Sequence, residues 1–395
     1  MEDVFVLGAT RTAVGEFGGG LKDISACNLA MLIMQSVVSR AGIEKSDVEQ
    51  VFIGNCFEPL DSNVSRIASV KAGMPIKAPA ITISATCGSA MQATIAGIHS
   101  IREGDADVVL VGGVESMSTA PYLLTTSRWG QRLQHGQMYD LLWRAMQEYP
   151  IGGGMGLTAE NVAERYGISR EAQDRLALQS QQRACKAIQD GKFREEITPV
   201  IVNPKKPDKI VDTDEHPRPD MTFEKLSKLP AVFKTNGTVT AGNACGMNDA
   251  AAAMILVSER KLEELGAKPL ARIIGYGVAG VDPAYMGIGP VPAIGKALKR
   301  AGLTIGDIDL FEINEAFAAQ YLACEKELGL NGEIVNVNGS GISLGHPVGA
   351  TGCRLSVTLI HEMMRRKLKY GVASLCAGGG HGFAVVLERI QKNGS

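Results

Sequence analysis

The sequence predicts an α/β protein made of two copies of one unit, the first copy interrupted by a long insertion. Three observations carry that expectation. Strand-length stretches of Val, Ile and Ala alternate with longer helical patterns, as they do where buried strands are covered by helices. Glycine clusters at Gly112-Gly113, Gly152 to Gly154 and Gly378 to Gly380 follow apolar runs, where tight strand-to-helix turns need them. Finally, Ala41-Gly-Ile-x-x-x-Asp47-Val48 returns 260 residues later as Ala301-Gly-Leu-x-x-x-Asp307-Ile308, the mark of an internal repeat.

Along the chain, the opening apolar run to Gly8 reads as a strand. Glu2 and Asp3 stand where a secretory leader would carry basic residues, so export is not expected. Leu29 to Val38 is apolar but broken by Gln35 and Ser36, and no stretch reaches the roughly 20 residues that span a bilayer. Val51 to Asn55 matches Phe311 to Glu315 as helix, turn, strand. Ala80 to Ile83 leads into a helix near Cys87 whose Met91, Ile95 and Ile98 recur at helical spacing. Asp107 to Gly113 parallels Tyr370 to Gly379. In the second copy a last strand, Phe383 to Leu387, follows at once. Its counterpart, Ala251 to Val257, waits behind a segment of roughly 130 residues, far longer than a loop. The expected division is a first core half over 1–118 and 249–268, an inserted subdomain over 119–248, and a second core half over 269–395. Inside the insertion Ser169 opens a helix with Leu176, Ala177, Ser180, Ala184 and Ile188 on one face. Lys205-Lys206-Pro-Asp-Lys209 and Arg218 add positive charge, read as a solvated face ahead of a phosphate site.

Composition narrows the function classes. The 395 residues carry 40 Lys plus Arg against 42 Asp plus Glu, a formal charge of -2, which removes the electrostatic basis for nucleic-acid or anionic-membrane binding. The eight cysteines contain no C-x-x-C pair, so neither a zinc site nor a disulfide framework is indicated, and reduced thiols in a cytoplasmic setting are expected.

Chemistry gathers at three places. Cys87-Gly-Ser stands at a helix start, where unpaired N–H groups and the helix dipole favour a thiolate; a small buried cysteine at a turn is the alternative. Gly345-His346-Pro-Val-Gly-Ala-Thr-Gly352 fixes an imidazole in a glycine-framed turn, able to deprotonate a thiol. Cys376-Ala-Gly-Gly-Gly380 ends a buried strand, with glycine N–H groups available to a developing oxyanion.

These blocks, with Gly112-Gly-Val-Glu-Ser-Met-Ser118 and Asn314-Glu-Ala-Phe-Ala318, resemble the signature motifs of thiolases. Arg11-Thr-Ala-Val-Gly, Met155-Gly-Leu-Thr-Ala-Glu-Asn161, Asp214-Glu-His-Pro-Arg218 and Gly237-Thr-Val-Thr-Ala-Gly-Asn243 fall in the same order, so the resemblance spans nearly the whole chain. It implies the thiolase fold: two repeated βαβαβαββ halves in a layered αβαβα core, plus an inserted loop subdomain that binds coenzyme A. It also implies an acyltransferase. The expected reaction is reversible Claisen condensation of acetyl-CoA with an acyl-CoA, or CoA-dependent thiolysis of a 3-ketoacyl-CoA, with CoA as substrate and no metal or redox cofactor. Cys87 would carry the acyl group, His346 activate it, and Cys376 move the α-proton of acetyl-CoA. Asn314 would hold a water that, with His346, binds the enolate; the N–H groups of Cys87 and Gly378 would form a second oxyanion hole. Arg218 would lie beside the adenine or its phosphate. Met155, Phe233, Ala241, Cys245, Met286, Ala316 and Phe317 would line the substrate path, and a homodimer or homotetramer is expected. Four departures from the common pattern stand out: Cys245 where Ser is usual, Ala90-Met91 in place of Gly-Leu, His381 after the glycine run, and Gly154 where short-chain members carry His, an absence expected to widen the acyl pocket.

Three rival readings are weaker. Gly275-Tyr-Gly-Val-Ala-Gly280 satisfies G-x-G-x-x-G, but Asp282-Pro283 follows where a helix should open. A decarboxylating ketosynthase on the same fold would not pair Cys376 with the glycine run. A non-catalytic acyl-CoA or lipid-binding relative would not need all of Cys87, Asn314, His346 and Cys376.

Overall fold

The computed structural model describes residues 2–203 and 206–390. Its first half runs β1 (Val4–Thr12), β2 (Gly15–Glu16), α1 (Ala26–Ala41), β3 (Gln50–Gly54), α2 (Val64–Ala72), β4 (Ala80–Ile83), α3 (Ser89–Arg102) and β5 (Val108–Ser116). There follow β6 (Tyr122–Leu124), β7 (Met138–Asp140), α4 (Leu141–Gln147), α5 (Met155–Tyr166), α6 (Arg170–Gln189), β8 (Ile197–Thr198), β9 (Val200–Asn203), β10 (Lys206–Val211) and α7 (Phe223–Ser227). β11 (Asn248–Ser258) and α8 (Glu259–Leu265) return to the core. The second half is β12 (Ala271–Gly280), α9 (Pro290–Ala301), β13 (Leu310–Ile313), α10 (Ala318–Leu328), α11 (Gly341–Leu344), α12 (Thr351–Arg366), β14 (Tyr370–Ala377) and β15 (His381–Arg389).

The repeat is visible in detail. α1 and α9 end on left-handed Gly42 and Gly302, at φ 69° and 68°. Each is followed by one turn of 3-10 helix closed by a reciprocal capping box, Glu44 with Asp47 and Thr304 with Asp307. β3 and β13 then pair parallel with β5 and β14, which pair antiparallel with β11 and β15. β1 and β12 join the two halves antiparallel, so one sheet runs β13-β14-β15-β12-β1-β11-β5-β3-β4.

Apolar side chains divide this sheet into layers. α3 and α12 pack against inward residues of β1, β5, β11, β14 and β15, among them Val111, Leu256, Leu375 and Val385. α1 and α2 cover the opposite face of the first half, and α9 that of the second. Helices therefore lie outside both halves and between them, the αβαβα arrangement. The inner helices approach so closely that a Cβ at Gly352, on α12, would meet Met91 N of α3 at 2.6 Å. Both helix starts consequently sit side by side, and each is preceded by a candidate catalytic residue.

The G-x-G-x-x-G segment lies inside β12, where Gly275 and Gly277 pack against carbonyls of α9. Its glycines serve helix-on-strand contact, not a phosphate turn. Arg11 explains two of the ordered motifs. Fully buried, it reaches Glu196 Oε1 at 2.6 Å and Asp214 at 2.7 and 2.9 Å, tying β1 to the segment between β5 and β11. Ser169 caps α6 by accepting from Ala172 N at 3.1 Å, with Ala177, Ser180 and Ala184 buried. Lys205 lies outside the described residues.

Candidate active site

Three strand ends deliver the chemistry. β4 stops at Ile83, and Thr86, held at φ 50°, turns the chain so that Cys87 stands two residues ahead of the first helical residue of α3. Ser89 Oγ braces this loop, accepting from Ala85 N at 2.8 Å and donating to Thr86 O at 2.6 Å. β14 carries Cys376 toward its end, and the chain beyond brings Gly378 against the loop that holds Cys87. Thr86 Oγ1 donates to Gly378 O at 3.1 Å, locking the two loops together. A Cβ at Gly378 would meet Met155 Cε at 2.7 Å, so a side chain there would have to swing the end of Met155 aside.

His346 arrives on the turn before α12. Its backbone N–H donates to Asn248 Oδ1 at 2.9 Å, and Asn248 also fills the space beside left-handed Gly345, at φ 97°. The imidazole Nδ1 lies 2.7 Å from Thr351 Oγ1. With that hydroxyl donating to Pro347 O at 2.9 Å, Nδ1 is assigned as the donor and Nε2 as the nitrogen with the lone pair. Nε2 is buried and has no protein partner, the state a base requires. Asn314, at the end of β13, approaches Nδ1 with its amide at 3.4 Å, and its Oδ1 is also buried and unpartnered.

The cavity at these residues measures about 130 Å³ and is walled by Cys87, His346, Met155, Phe233, Cys245, Met286, Ala316 and Phe317, with Met117, Met146, Gln147 and Met247 among the others. Phe233 and Phe317 meet edge to face at 6.1 Å. Cys376, 1% exposed, belongs to the apolar cluster behind this wall with Met286, Ala316 and Phe317. Ala241 is exposed and outside the cavity lining, and Arg218 lies half exposed on the surface, 3.6 Å from Glu16. Among the described residues no group of His, Cys, Asp and Glu is arranged as a metal site.

Two expectations need correction. Burial pushes the Cys87 thiol up to about 11, outweighing the N–H groups of Gly378 and of Cys87 itself, so the helix start does not produce a resting thiolate. Burial, with Arg354 behind it, likewise holds His346 down at about 3. The resting pair is therefore neutral thiol and neutral imidazole. Secondly, Gly154 opens no space: a Cβ there would meet Gln147 O at 2.8 Å, because the end of α4 occupies the room a side chain would take.

The motifs left three contributors without a role. Asn248 and Thr351 hold His346, and Glu115 receives four hydrogen bonds around its turn. A lone acid in the otherwise uncharged run Val108 to Ser118 is the available signal for Glu115; Asn248 and Thr351 give none, since their partners are distant or hidden in the turn.

Known proteins share both sequence and fold. Residues 4–260 match the thiolase N-terminal domain and residues 267–389 the thiolase C-terminal domain. The beta-ketothiolase BktB of Cupriavidus necator is 48% identical over 98% of this chain and 99% of its own length. The mitochondrial 3-ketoacyl-CoA thiolase of Bos taurus is 45% identical over 98% of each. Among solved structures, a Bacillus anthracis acetyl-CoA acetyltransferase superposes with a TM-score of 0.96 at 49% identity, covering 99% of both chains. Human mitochondrial 3-ketoacyl-CoA thiolase in complex with CoA gives 0.95 at 44% identity, covering 99% of this chain and 98% of that one. With both domains matched end to end and the fold reproduced, the chain belongs to the thiolase family.

Proposed function

We propose that the protein is an acyltransferase that condenses acetyl-CoA with an acyl-CoA and, in reverse, cleaves 3-ketoacyl-CoA with free CoA. The observation that carries this reading is the convergence, at one apolar cavity, of a thiol, a second buried thiol behind the wall, and an imidazole whose Nε2 is free. In condensation, Cys87 attacks the thioester carbonyl of acetyl-CoA while His346 Nε2 takes the thiol proton. Because neither group is ionised at rest, proton transfer accompanies attack instead of preceding it. The N–H groups of Gly378 and Cys87, which favour negative charge at this sulfur, receive the charge that develops on the carbonyl oxygen. Cys87 is acetylated, His346 Nε2 keeps the proton it took, and CoA leaves as a thiolate that takes its proton from Cys376. Cys376 then removes a proton from the methyl of a second acetyl-CoA. The enolate oxygen is held by His346 and a water on Asn314, whose unpartnered Oδ1 can accept that water's hydrogen. Its carbon attacks the acetyl group, and the C–S bond to Cys87 breaks. The family resemblance assigns Arg218, an exposed cation beside Glu16, to the adenine end of CoA.

Substrate range follows from the cavity walls. Met117, Met146, Met155, Met247 and Met286 all line it, and unbranched thioethers repack around ligands of different shape. Relatives named for acetyl-CoA and for 3-ketoacyl-CoA are similarly close, so overall identity does not separate the two. With coupled assays of CoA-dependent cleavage, kcat/KM for 3-ketohexanoyl-CoA is expected within about tenfold of that for acetoacetyl-CoA, since each added methylene changes binding by only a few fold in a yielding pocket. Met286→Phe should depress the longer substrate selectively, whereas Gly154→His should displace the end of α4 and lower both. A parent enzyme that cleaves neither substrate refutes the activity; rejection of the longer one by a hundredfold or more refutes the range.

The protein acts as a homo-oligomer in this reading. β4 is a sheet edge with Ile81 51% exposed, and Ile76 and Leu60 nearby in sequence are 77% and 81% exposed. The β6–β7 hairpin carries a second such surface at Trp129 and Leu133. A second copy covering the edge would remove unpaired backbone and apolar area from water together. Sedimentation equilibrium should give a mass of at least a dimer, and Ile81→Lys should shift it toward the monomer; a parent that is monomeric at micromolar concentration refutes this.

A further inference from the structure

Glu115 is a fully buried carboxylate outside the reacting set, and its partners are unusual in being drawn from both halves of the site. Oε1 accepts from Asn55 Nδ2 at 2.9 Å and Phe57 N at 3.0 Å. Oε2 accepts from Cys56 N at 3.1 Å and, across the molecule, from Gly349 N at 2.9 Å. Gly349 lies three residues after His346, on the same turn. The loop on the other side leads to Cys87: Cys56 Sγ contacts Thr86 O at 3.2 Å and Ser89 Oγ at 3.3 Å, the two groups that brace the Cys87 loop. One carboxylate therefore joins the loop beside the nucleophile to the turn that carries its base.

Asn248 registers the His346 end of that turn, and close packing shapes its Gly349 end. A Cβ at Gly349 would meet Glu115 Oε2 at 2.7 Å and Val114 O at 2.7 Å, and Gly113 faces Gly349 O with no room for a side chain. Backbone thus rests directly on backbone, and the Gly349 N–H needs an acceptor there. We infer that Glu115 is a positioning residue, setting the approach of His346 to Cys87 by clamping the Gly349 turn and the Asn55–Phe57 loop to the end of β5. All four partners are donors, so the clamp requires acceptor oxygens at both ends of the side chain. A carboxylate supplies them, while a carboxamide must present an NH2 group to at least one backbone N–H. The charge is held at a cost: burial pushes Glu115 up to about 7 despite the N–H groups of Phe57, Gly349 and Cys56.

This inference rests on the proposed acyl transfer, and the test separates the two. Glu115→Gln should lower kcat for acetoacetyl-CoA cleavage, and the rate of Cys87 acetylation by acetyl-CoA in stopped mass-spectrometric time courses, by about 100-fold, the cost of a misplacement near 1 Å. KM for acyl-CoA should stay within about threefold, because the CoA-binding walls are elsewhere. Asn55→Ala removes one donor but leaves the Gly349 link and should stay within about threefold of the parent in kcat. Parent-like kcat and acetylation in a folded Glu115→Gln protein overturn the inference, as does an equal loss in Asn55→Ala, which would mark general packing. Should Glu115→Gln not fold, Glu115→Asp decides by the same readings: it keeps the charge but is too short to span both loops, and parent-like kcat there overturns the inference. A parent that neither acetylates nor turns over refutes the proposed function, not the clamp.

Discussion

Cys87→Ala is expected to abolish turnover and the covalent intermediate together. The parent should gain one acetyl group by intact-mass spectrometry after incubation with acetyl-CoA, and the variant none. Loss of a covalent nucleophile of this kind costs on the order of a millionfold where partners act as a unit, because His346 then has no proton to take and the Gly378 and Cys87 N–H groups no sulfur-bound oxyanion to receive. The fold should tolerate the change: Cys87 is only partly buried by side-chain environment and its loop is held by Ser89 and Thr86, not by the sulfur. The resting thiol adds a second expectation within the same experiment. With the thiol near 11, the thiolate fraction rises with pH throughout the neutral range, so labelling of the parent by iodoacetamide should climb from pH 7 to pH 10 without a plateau. An acetyl group retained on Cys87→Ala would move the nucleophile elsewhere.

What the sequence disclosed, it disclosed through local rules. The repeat at offset 260 was readable because helix end, left-handed glycine, capped turn and strand are each written in a few adjacent residues, and the structure repeats them at Gly42 and Gly302. Two thiols, a histidine and a glycine run could be named for the same reason. What stayed hidden depends on what surrounds a residue. The helix dipole favours a thiolate at Cys87, but burial, which adjacent residues do not disclose, prevails. Gly154 lacks a side chain in the sequence, yet the end of α4 fills that space from another element. Asn248 precedes His346 by 98 residues and Glu115 precedes Gly349 by 234, distances over which no spacing pattern exists.

Cys376→Ser should divide the reaction at its midpoint. The variant should still take an acetyl group from acetyl-CoA onto Cys87, yet lose condensation and thiolysis by more than the roughly 100-fold to 10,000-fold usual for acid–base groups, because a hydroxyl is a far weaker acid than a thiol and no other base reaches the α-carbon in this scheme. The electrostatics supply a reason for the order of steps. Burial holds the Cys376 thiol well above its usual range, and negative charge on Cys87 raises it further. As a thioester Cys87 cannot become that charge, so Cys376 gives up its own proton more readily after the first half-reaction than it would beside a Cys87 thiolate. A carbanion formed earlier would have no acyl acceptor and would be quenched by its own proton. Exchange of the methyl hydrogens of acetyl-CoA with deuterated solvent should therefore require Cys87 in its acetylated form, and vanish in both Cys376→Ser and Cys87→Ala. Near-parent thiolysis in Cys376→Ser, or solvent exchange that persists without Cys87, would remove Cys376 from the role of α-carbon base.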